Sequence, residues 1–381
     1  MSKRRGRKRS WPAAHPPTAP TLLAHGATEF ATLRLDCYDV RSAGARGNED
    51  PAGDDLFRAA LTKWRERVRA GGTDPLGDAP TEQLSTAELD EELSRGNAEA
   101  GGVIQGAMEE FSQQLCRLLT QLLRRAAWAD TRRIVVAGDL RHSRVGDIAL
   151  GRAMVLLKTA GFDVELVFIR RPLRETTLLG AIRLVPAWML KGHDSILAVD
   201  IAMQEVRGAI VALNFKKSPD LAKAAVANTR AWRPKAGPLG REGLVTSVAE
   251  LVEELADRSR RKGEKLAPFV GIGCGGVVRA DGGVTQTGTG FAAGLFRSGL
   301  NLPRELCAKL PKIGDHETVV ALHNGIVLQG LSQDSFMRDV QHWGIVSIAQ
   351  DRGEARFTNY HETQEKIGGT GRVRRRSHRK H

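Results

Sequence analysis

The sequence predicts an α/β protein, because short apolar runs typical of buried strands alternate with segments that have helical spacing. The clearest strand signal is residues 196–214 (ILAVDIAMQEVRGAIVALN), which read as two antiparallel strands joined by a tight connection. The clearest helix signal is residues 103–127, where Phe111 and Leu115 begin an apolar stripe on one face. With 381 residues, the chain is long enough for two domains and a sizeable core.

The remaining elements follow the same two signals. Short apolar runs predict further strands at residues 31–40, 133–137, 164–169, from 268 onward, 318–322 and 344–348. Apolar residues at helical spacing predict further helices at residues 56–69, 85–93, 148–160, 181–190, 245–262, 303–310 and 325–331. Ser85 and Glu88 have the spacing of a capping box, which marks the start of the helix at 85–93. The pair Gly71-Gly72 breaks the helical pattern that begins at residue 56.

The composition is that of a globular protein of the cytoplasm. The apolar fraction is 41%, and no apolar run reaches the roughly 18 residues that a membrane span needs, so no membrane partner is expected. The basic start of the chain is followed by prolines rather than an apolar segment, which does not fit a secretory signal. The cysteines at 37, 116, 274 and 307 have no CxxC spacing and are interpreted as reduced thiols without a structural zinc site.

The basic character of the chain is concentrated in its two ends. The net charge is +13, and residues 1–10 and 371–381 carry six Lys or Arg each with no acid. The rest of the chain therefore has a net charge of only +1. Such tails can bind phosphate backbones without sequence preference, or they can be solvated arms without a dedicated partner. Since no aromatic residue is interleaved for base stacking, the second interpretation is favoured.

Four motifs together carry a family resemblance. They are the hairpin around Asp200, the glycine-rich 271–276 followed by Asp281-Gly282, the triplet His323-Asn324-Gly325, and residues 343–356 (WGIVSIAQDRGEAR). The chain in this respect resembles the ROK family of bacterial sugar kinases and repressors, where these places hold D-I-G-G-T, G-x-x-x-P-G with a DG turn, N-D, and G-T-G-x-G. The resemblance implies a two-lobed α/β fold of the actin-like ATPase (RNase H-like) type, and it covers about residues 80–360.

The order of the motifs implies a circular permutation. Segments that end the chain in the ROK family resemble residues 95–115, 133–139 and 174–184 here, ahead of the hairpin at Asp200. The predicted domains are a basic, Pro-rich tail (1–20), the C-terminal part of the large lobe placed first (21–190), the small nucleotide lobe (191–322), the start of the large lobe (323–360) and a basic tail (361–381). Permutation is compatible with a fold whose chain ends lie at the surface.

The resemblance places the nucleotide contacts at four positions: Asp200 and Gln204 in the first phosphate motif, Gly353 in the second, and Gly138 near the adenosine. Two glycines of the first motif, which would let the backbone approach the phosphates, are Ala202 and Met203 in this chain. Residues 349–352 of the second motif (AQDR) likewise replace its glycines. Mg·ATP is therefore the expected cofactor only if nucleotide binding is retained. Asp200 has two interpretations, a residual metal-ordering role or a strand-end residue paired locally.

The resemblance also locates the catalytic base and the sugar site. The family's catalytic aspartate corresponds to Gly325, which has no side chain to accept a proton, so no catalytic residue is assigned. Asn324, His323 and Gly276 are the expected remnants of substrate binding, and a sugar is the implied ligand. Asn324 alternatively caps the helix that follows it.

Two further patterns are weak signals. Thr287-Gly288-Thr289-Gly290 has the composition of a phosphate loop but corresponds to a sugar-contacting loop in the ROK family. His316, Glu317 and His323 have metal-ligand side chains, but their spacing is not HExxH and a strand would separate them, so no metal site is assigned.

Three hypotheses for function follow. The first is a catalytically impaired or inactive sugar-kinase-like protein, a pseudokinase that binds a ligand or serves as a scaffold. The second is an active hexose kinase whose catalytic base is relocated to Asp315, Glu317 or Asp334. The third is a nucleic-acid-associated protein that uses residues 1–10 and 371–381. The sequence leaves the oligomeric state open, and a homo-oligomer is compatible with it.

Overall fold

The computed structural model describes residues 25–39, 56–234, 240–285, 292–348 and 353–360. The predicted tails, the Thr287–Gly290 pattern and residues 349–352 lie outside these ranges. The first part of the chain contains strands β1 (Leu33–Asp39), β2 (Arg133–Ala137) and β3 (Glu165–Phe168) and helices α1 (Leu56–Gly71), α2 (Thr86–Arg95), α3 (Ala98–Leu123), α4 (Arg144–Thr159), α5 (Leu173–Gly180) and α6 (Ala187–Leu190).

The second part of the chain supplies the other elements. Its strands are β4 (Ser195–Ile201), β5 (Val206–Ala212), β6 (Ala225–Trp232), β7 (Leu266–Cys274), β8 (Val277–Val278), β9 (Val284–Thr285), β10 (Lys312–Ile313), β11 (His316–Glu317), β12 (Val319–Asn324), β13 (His342–Ser347) and β14 (Gly353–Asn359). Its helices are α7 (Arg241–Arg261), α8 (Ala293–Arg297), α9 (Leu302–Lys309) and α10 (Gly325–Leu331). None of the helices in the described part of the chain is long and apolar enough to cross a bilayer.

Two five-stranded sheets with the same internal order organise these elements. Sheet 2 has the order β6-β5-β4-β7-β12, in which β5 is antiparallel to β4 and β6 while β7 and β12 run parallel to β4. Sheet 1 has the order β1-β14-β13-β2-β3, in which β14 is antiparallel to β13 and β1 while β2 and β3 run parallel to β13. Each sheet is thus a hairpin extended by one antiparallel strand on one side and by two parallel strands on the other.

The chain enters the two sheets differently. In sheet 2, the chain forms the hairpin β4-β5 first, then the antiparallel strand β6, and then the parallel strands β7 and β12. In sheet 1, the corresponding hairpin β13-β14 comes from the end of the chain, and the three added strands, β1, β2 and β3, come from its beginning. The predicted class, a two-lobed α/β protein, is confirmed, and its two sheets of equal strand order are consistent with the actin-like ATPase type. The circular permutation stays a prediction. The domain boundaries given above stay predictions.

Three layers of apolar side chains hold the sheets together. Successive residues of a strand point to opposite faces, so Val135 and Ala137 of β2 enter the core between the sheets, while Ile134 and Val136 enter an outer core with α1, α3 and α4. In sheet 2, Ile196 of β4 belongs to the central core, whereas Leu197 and Val199 point to the opposite face and belong to the core that includes α7 and α9. Both sheets are therefore covered on both faces, as parallel strands require.

Helices α5 and α10 cross closely within the core between the sheets. A Cβ at Gly180 of α5 would lie 1.8 Å from the backbone oxygen of Leu328 in α10, so only glycine permits this approach. A second connection is the segment before β1, where the backbone N–H of Gly26 donates to Leu322 O at 2.9 Å beside β12. The chain then continues into β1, at the edge of sheet 1. One short segment thereby contacts both sheets.

Most predicted elements occur, with informative exceptions. The predicted helix at 181–190 is wrong, because Pro186 divides it into a 3-10 turn (Ala181–Leu184) and the four-residue α6. Strand β6 was not predicted, because apolar and polar residues do not alternate regularly in its sequence, AVANTRAW. The capping box at Ser85 and Glu88 is present, with both reciprocal hydrogen bonds formed.

Candidate functional site

The predicted site residues gather at the carboxyl ends of three parallel strands of sheet 2. Strand register places Asp200 of β4, Gly273 of β7 and His323 of β12 at one level across the sheet. Asn324 and Gly325 follow at the end of β12. This edge of an α/β sheet is where ligands usually bind.

The other predicted residues have varied positions relative to this edge. Gly276 accepts a hydrogen bond from Asn324, and an ideal Cβ at Gly353 would lie 3.2 Å from Cβ of Ile326 in the first turn of α10. Gln204 is exposed in the connection between β4 and β5. Gly138 follows β2 at the corresponding end of sheet 1.

Asp200 already has a cationic partner within the chain. Arg207 lies opposite Asp200 in β5, and its Nη2 donates a 2.5 Å hydrogen bond to Asp200 Oδ2. Its Nη1 donates to the backbone oxygen of Arg174, at the start of α5, at 3.0 Å. The side chains of Asp200 and Arg207 are 8% and 18% exposed. The guanidinium thus neutralises the carboxylate and connects the two lobes at the position predicted for a magnesium-ordering acid.

Asn324 uses both atoms of its amide group. The side-chain Oδ1 accepts from the backbone N–H of Ile326 at 2.8 Å, which caps α10, and Nδ2 donates to Gly276 O at 2.6 Å. The residue is 2% exposed. Gly325 next to it presents only backbone, and the nearest atom to an ideal Cβ there is the backbone oxygen of Cys274 at 3.8 Å. These residues therefore form a helix start joined to the loop after β7.

His323 is a buried, neutral core residue. Its Nε2 donates to Ala27 O at 2.9 Å, and its Nδ1 accepts the backbone N–H of Asn324 at 2.7 Å, which defines the tautomer. The rings of Phe30 and Tyr38 lie about 6 Å from it. Burial lowers the pKa of His323 to about 4, so the imidazole stays uncharged at neutral pH.

Two further intrachain ion contacts occupy the predicted phosphate and adenosine sides. Glu354, which follows Gly353, is 3% exposed and accepts a 2.9 Å hydrogen bond from Arg125 Nη1. On the other side, Asp90 of α2 accepts from the first two backbone N–H groups of α4, those of Arg144 and Val145, both at 2.8 Å. A carboxylate at a helix N-terminus satisfies the donors that a phosphate would otherwise use.

Cys274 completes the strand-end region. It is buried, and burial together with the nearby Asp200 carboxylate raises the pKa of its thiol to about 12. The thiol therefore stays protonated and is a poor nucleophile or metal ligand.

The alternative metal and base residues lie elsewhere. His316 and Glu317 form the two-residue strand β11 and are exposed, whereas His323 is buried. Within the described ranges, no group of three or more His, Cys, Asp or Glu side chains is arranged to hold a metal ion. Of the proposed substitute bases, Asp315 is exposed and Asp334 is fully buried, 2.9 Å from Arg183 Nη2.

The residues at this edge do not suit Mg·ATP. Magnesium needs carboxylate oxygens that are free to coordinate it or its waters, yet the Asp200 carboxylate is held by a guanidinium. On the predicted adenosine side, after Gly138, the first backbone N–H groups of α4 are already bonded to Asp90.

Sequence reasoning missed three residues that define this region, Arg207, Arg125 and Asp90. Arg207 had a recognisable signal, because a hairpin whose connection is residues 202–205 pairs position 200 with position 207. Arg125 and Asp90 contact residues 229 and 54 positions away, and the sequence contains no local signal for either contact.

Known proteins similar to this chain were found among solved structures. No protein-family model matches the sequence, and no curated protein matches it. Matching solved structures include the Aquifex aeolicus Ppx/GppA phosphatase, type II variant, with 12% identity, coverage of 66% of this chain and 88% of that chain, and a TM-score of 0.25. An exopolyphosphatase-like protein matches with 12% identity, coverage of 66% and 90%, and a TM-score of 0.27. An exopolyphosphatase from Cytophaga hutchinsonii matches with 13% identity, coverage of 44% and 51%, and a TM-score of 0.21.

The predicted membership of the ROK family, and with it the ROK type of the fold, is wrong. No family model supports it, and these structures are described as Ppx/GppA and exopolyphosphatase proteins rather than ROK sugar kinases. The physical reason lies in the motifs, which are short glycine-containing sequences at strand ends. A sheet whose strands end beside a helix N-terminus favours such sequences whatever the family, so they report on the fold.

Proposed function

We propose that this chain is a non-catalytic protein, a binding or scaffold protein built on the actin-like ATPase fold, whose strand-end site is filled by its own side chains. The observation that carries the proposal is the 2.5 Å hydrogen bond from Arg207 to Asp200. A charge-assisted pair of this length between largely buried groups is among the stronger side-chain interactions. Arg207 occupies Oδ2 of Asp200 and is also bonded to Arg174 O at 3.0 Å, so a metal ion at this carboxylate would lie against a fixed guanidinium.

The three residues at the end of β12, His323, Asn324 and Gly325, support the same proposal. A positioned general base contributes about 10²–10⁴-fold to proton transfer. Gly325 offers no side chain for this role, and both amide atoms of Asn324 are used within the chain. His323, with its pKa lowered to about 4 by burial, has its two ring nitrogens bonded to Ala27 and Asn324. None of these three residues is free to exchange a proton with a substrate.

The packing of the lobes also favours a scaffold. Phosphoryl-transfer enzymes commonly close around a substrate, which requires their parts to move. Here α5 and α10 are in backbone contact at Gly180 and Leu328, and the segment around Gly26 binds the edge of sheet 2 before β1 joins sheet 1. The central core contains side chains from both sheets. These contacts join the two sheets closely and oppose such movement.

The four cysteines support a location in a reducing compartment such as the cytoplasm. Cys37, Cys116, Cys274 and Cys307 are all free thiols, and Cys274 is buried. Free thiols are typical of proteins kept under reducing conditions.

An assay of phosphoryl chemistry tests the proposal. The full chain is incubated with radiolabelled Mg·ATP, alone and with hexoses, and with inorganic polyphosphate, a substrate with the same phosphoanhydride bond. The matched control is Asp200→Asn, purified in the same way and verified as folded. We expect release or transfer of phosphate at the same background rate in both proteins. Turnover by the wild type that Asp200→Asn abolishes would overturn the proposal.

A further inference from the structure

A basic face lies where the loop between β5 and β6 meets the other lobe. Arg183 Nη2 donates to the backbone oxygen of Asp220 in this loop at 2.9 Å and to Ser335 Oγ at 2.8 Å. Arg171 donates to the backbone oxygen of Ala222 in the same loop. These contacts bring residues 170–174, 216–223 and 334–338 together. The basic face consists of their exposed cationic residues, Arg170, Arg174, Lys216, Lys217, Lys223 and Arg338.

The acids on these segments offset only part of this charge, and Arg338 is the member of the face that lies near one, 3.8 Å from Asp334. Asp334 is fully buried, 2.9 Å from Arg183, and Asp220 is bonded to the hydroxyl of Ser218 and, at 3.1 Å, to the backbone N–H of Ala222. Lys216, Lys217 and Lys223 make no ion pair with the residues that the structure describes. The chain without its two ends has a net charge of only +1, so the positive charge of this face is a local feature of the folded part.

An aromatic ring contacts Arg170 of this face and the neighbouring, partly buried Arg171. The Cζ atoms of Arg170 and Arg171 lie 5.0 and 5.5 Å from the centre of the Phe336 ring. Arg171 Nε is buried without a hydrogen-bond acceptor, and burial lowers the pKa of this guanidinium. The Arg171 guanidinium is thus fixed inside this region by Phe336 and Ala222, and the exposed members of the face surround it.

An exposed tryptophan lies beside the basic face. Trp188 of α6 is 63% exposed, which is unusual for so large an apolar side chain. Val185 and Leu190, on either side of it in the chain, line a small cavity of about 60 Å³ together with Arg183 and Leu221. Leu221 lies in the loop that carries Lys217 and Lys223. The cavity therefore places the chain on both sides of Trp188 against the loop that carries these lysines.

We infer that this face binds single-stranded nucleic acid. The combination of cationic side chains for the phosphate backbone and an exposed aromatic ring for a base is the recognition pattern of sequence-independent single-strand binding. The lysines and arginines neutralise phosphates, and Trp188 stacks on a base. Double-stranded nucleic acid would not use the tryptophan, because its bases are already stacked on one another. The inference concerns the folded part of the chain and is independent of the basic ends.

Fluorescence anisotropy with a labelled oligothymidine of about 20 nucleotides tests the inference on the full chain. Substituting Lys216, Lys217 and Lys223 by Gln should weaken binding more than tenfold and reduce the slope of log K against log salt by about 2, since each single-strand phosphate contact contributes about 0.7. The matched control substitutes Lys158, Lys262 and Lys312 by Gln, three exposed lysines elsewhere that remove the same charge. The control should change the slope by less than a quarter as much.

The tryptophan provides a second, independent readout. Trp188→Ala should weaken binding about tenfold and remove most of the quenching of tryptophan fluorescence by the oligonucleotide, while Trp188→Phe should retain most of the affinity. Every variant keeps both basic ends, so binding by the ends alone would give equal slopes for the two lysine triples and no effect of Trp188→Ala. That result would overturn the inference. Binding to anionic phosphatidylserine vesicles without binding to the oligonucleotide would also overturn it.

Discussion

Arg207 and Asp200 lie opposite each other on neighbouring strands, and the hydrogen bond of 2.5 Å between Arg207 Nη2 and Asp200 Oδ2 places a protein cation where a bound metal would be expected. The same guanidinium reaches Arg174 O in the other lobe at 3.0 Å. The pair is therefore a structural contact between lobes, and its removal should affect folding before it affects any ligand.

Breaking the Asp200–Arg207 pair should destabilise the fold. We expect Arg207→Met to lower the free energy of unfolding by about 3 kcal/mol, because it leaves a carboxylate nine-tenths buried without its charged partner. Asp200→Asn should cost less, and the double variant should cost clearly less than the sum of the two. Urea unfolding in a double-mutant cycle measures the difference. Additive losses would show that the two side chains are not coupled.

A second buried ion pair should stabilise the segment between α1 and α2. Arg65 is 1% exposed and donates to Asp74 at 2.8 Å, to Thr81 Oγ1 at 3.0 Å and to the backbone oxygens of Gly77 and Ala79 at 2.8 and 2.7 Å. We expect Arg65→Met to lower the free energy of unfolding by about 3–5 kcal/mol.

Arg69→Met is the matched control for Arg65→Met. Arg69 contacts the same Asp74 at 2.9 Å, but its side chain is 44% exposed. Its loss should change the free energy of unfolding by about 1 kcal/mol or less. Thermal and urea unfolding of both variants provide the comparison, and equal losses would contradict the assignment of Arg65 as the anchor.

His323 should make stability depend on pH. Its pKa is lowered from 6.5 to about 4 by burial, so its contribution is fully present above pH 6.5 and is lost as the pH falls toward 4. Between pH 6.5 and 5 this corresponds to about 2 kcal/mol. His323→Gln retains a donor for Ala27 but does not titrate. Over the same pH interval, the free energy of unfolding of this variant should fall by about 2 kcal/mol less than that of the wild type. Parallel urea-unfolding curves for the two proteins at both pH values would refute the assignment.

The crossing of α5 and α10 should tolerate no side chain at Gly180. A Cβ there would lie 1.8 Å from a backbone oxygen, so Gly180→Ala must separate the helices and should lower the free energy of unfolding by about 3 kcal/mol. Gly151→Ala in α4 is the control, because a Cβ there meets no atom within 4 Å. That substitution should stabilise the fold by about 0.5–1 kcal/mol. The melting temperatures should therefore shift in opposite directions.

The elements that could be predicted from the sequence are those with a local pattern of apolar residues. The hairpin at 196–214, the strand Arg133–Ala137 and the helix Gly325–Leu331 depend on apolar periodicity and were located to within a few residues. Strand β6 has no such periodicity and is fixed by its pairing with β5, so sequence alone did not reveal it. The permuted order stays a prediction, since it was inferred from the order of motifs in the ROK family.

The site was less predictable because its chemistry depends on contacts between distant residues. Gly325 and the two substituted positions after Ile201 already indicated weakened phosphate chemistry. What replaces that chemistry is decided by strand register for Arg207 and by tertiary packing for Asp90 and Arg125. Short glycine motifs also misled the family assignment, since they are shared by unrelated proteins with similar strand ends.

Isothermal titration of Mg·ATP into the full chain tests the central claim most directly, since that claim is that the chain's own side chains occupy the predicted nucleotide site. The account predicts no saturable heat at millimolar nucleotide and no rise in melting temperature, whereas a ligand at 100 times its Kd would stabilise the fold by about 2.7 kcal/mol. Saturable binding of Mg·ATP that is lost in Asp200→Asn would contradict it, because Asp200 would then bind the metal instead of Arg207.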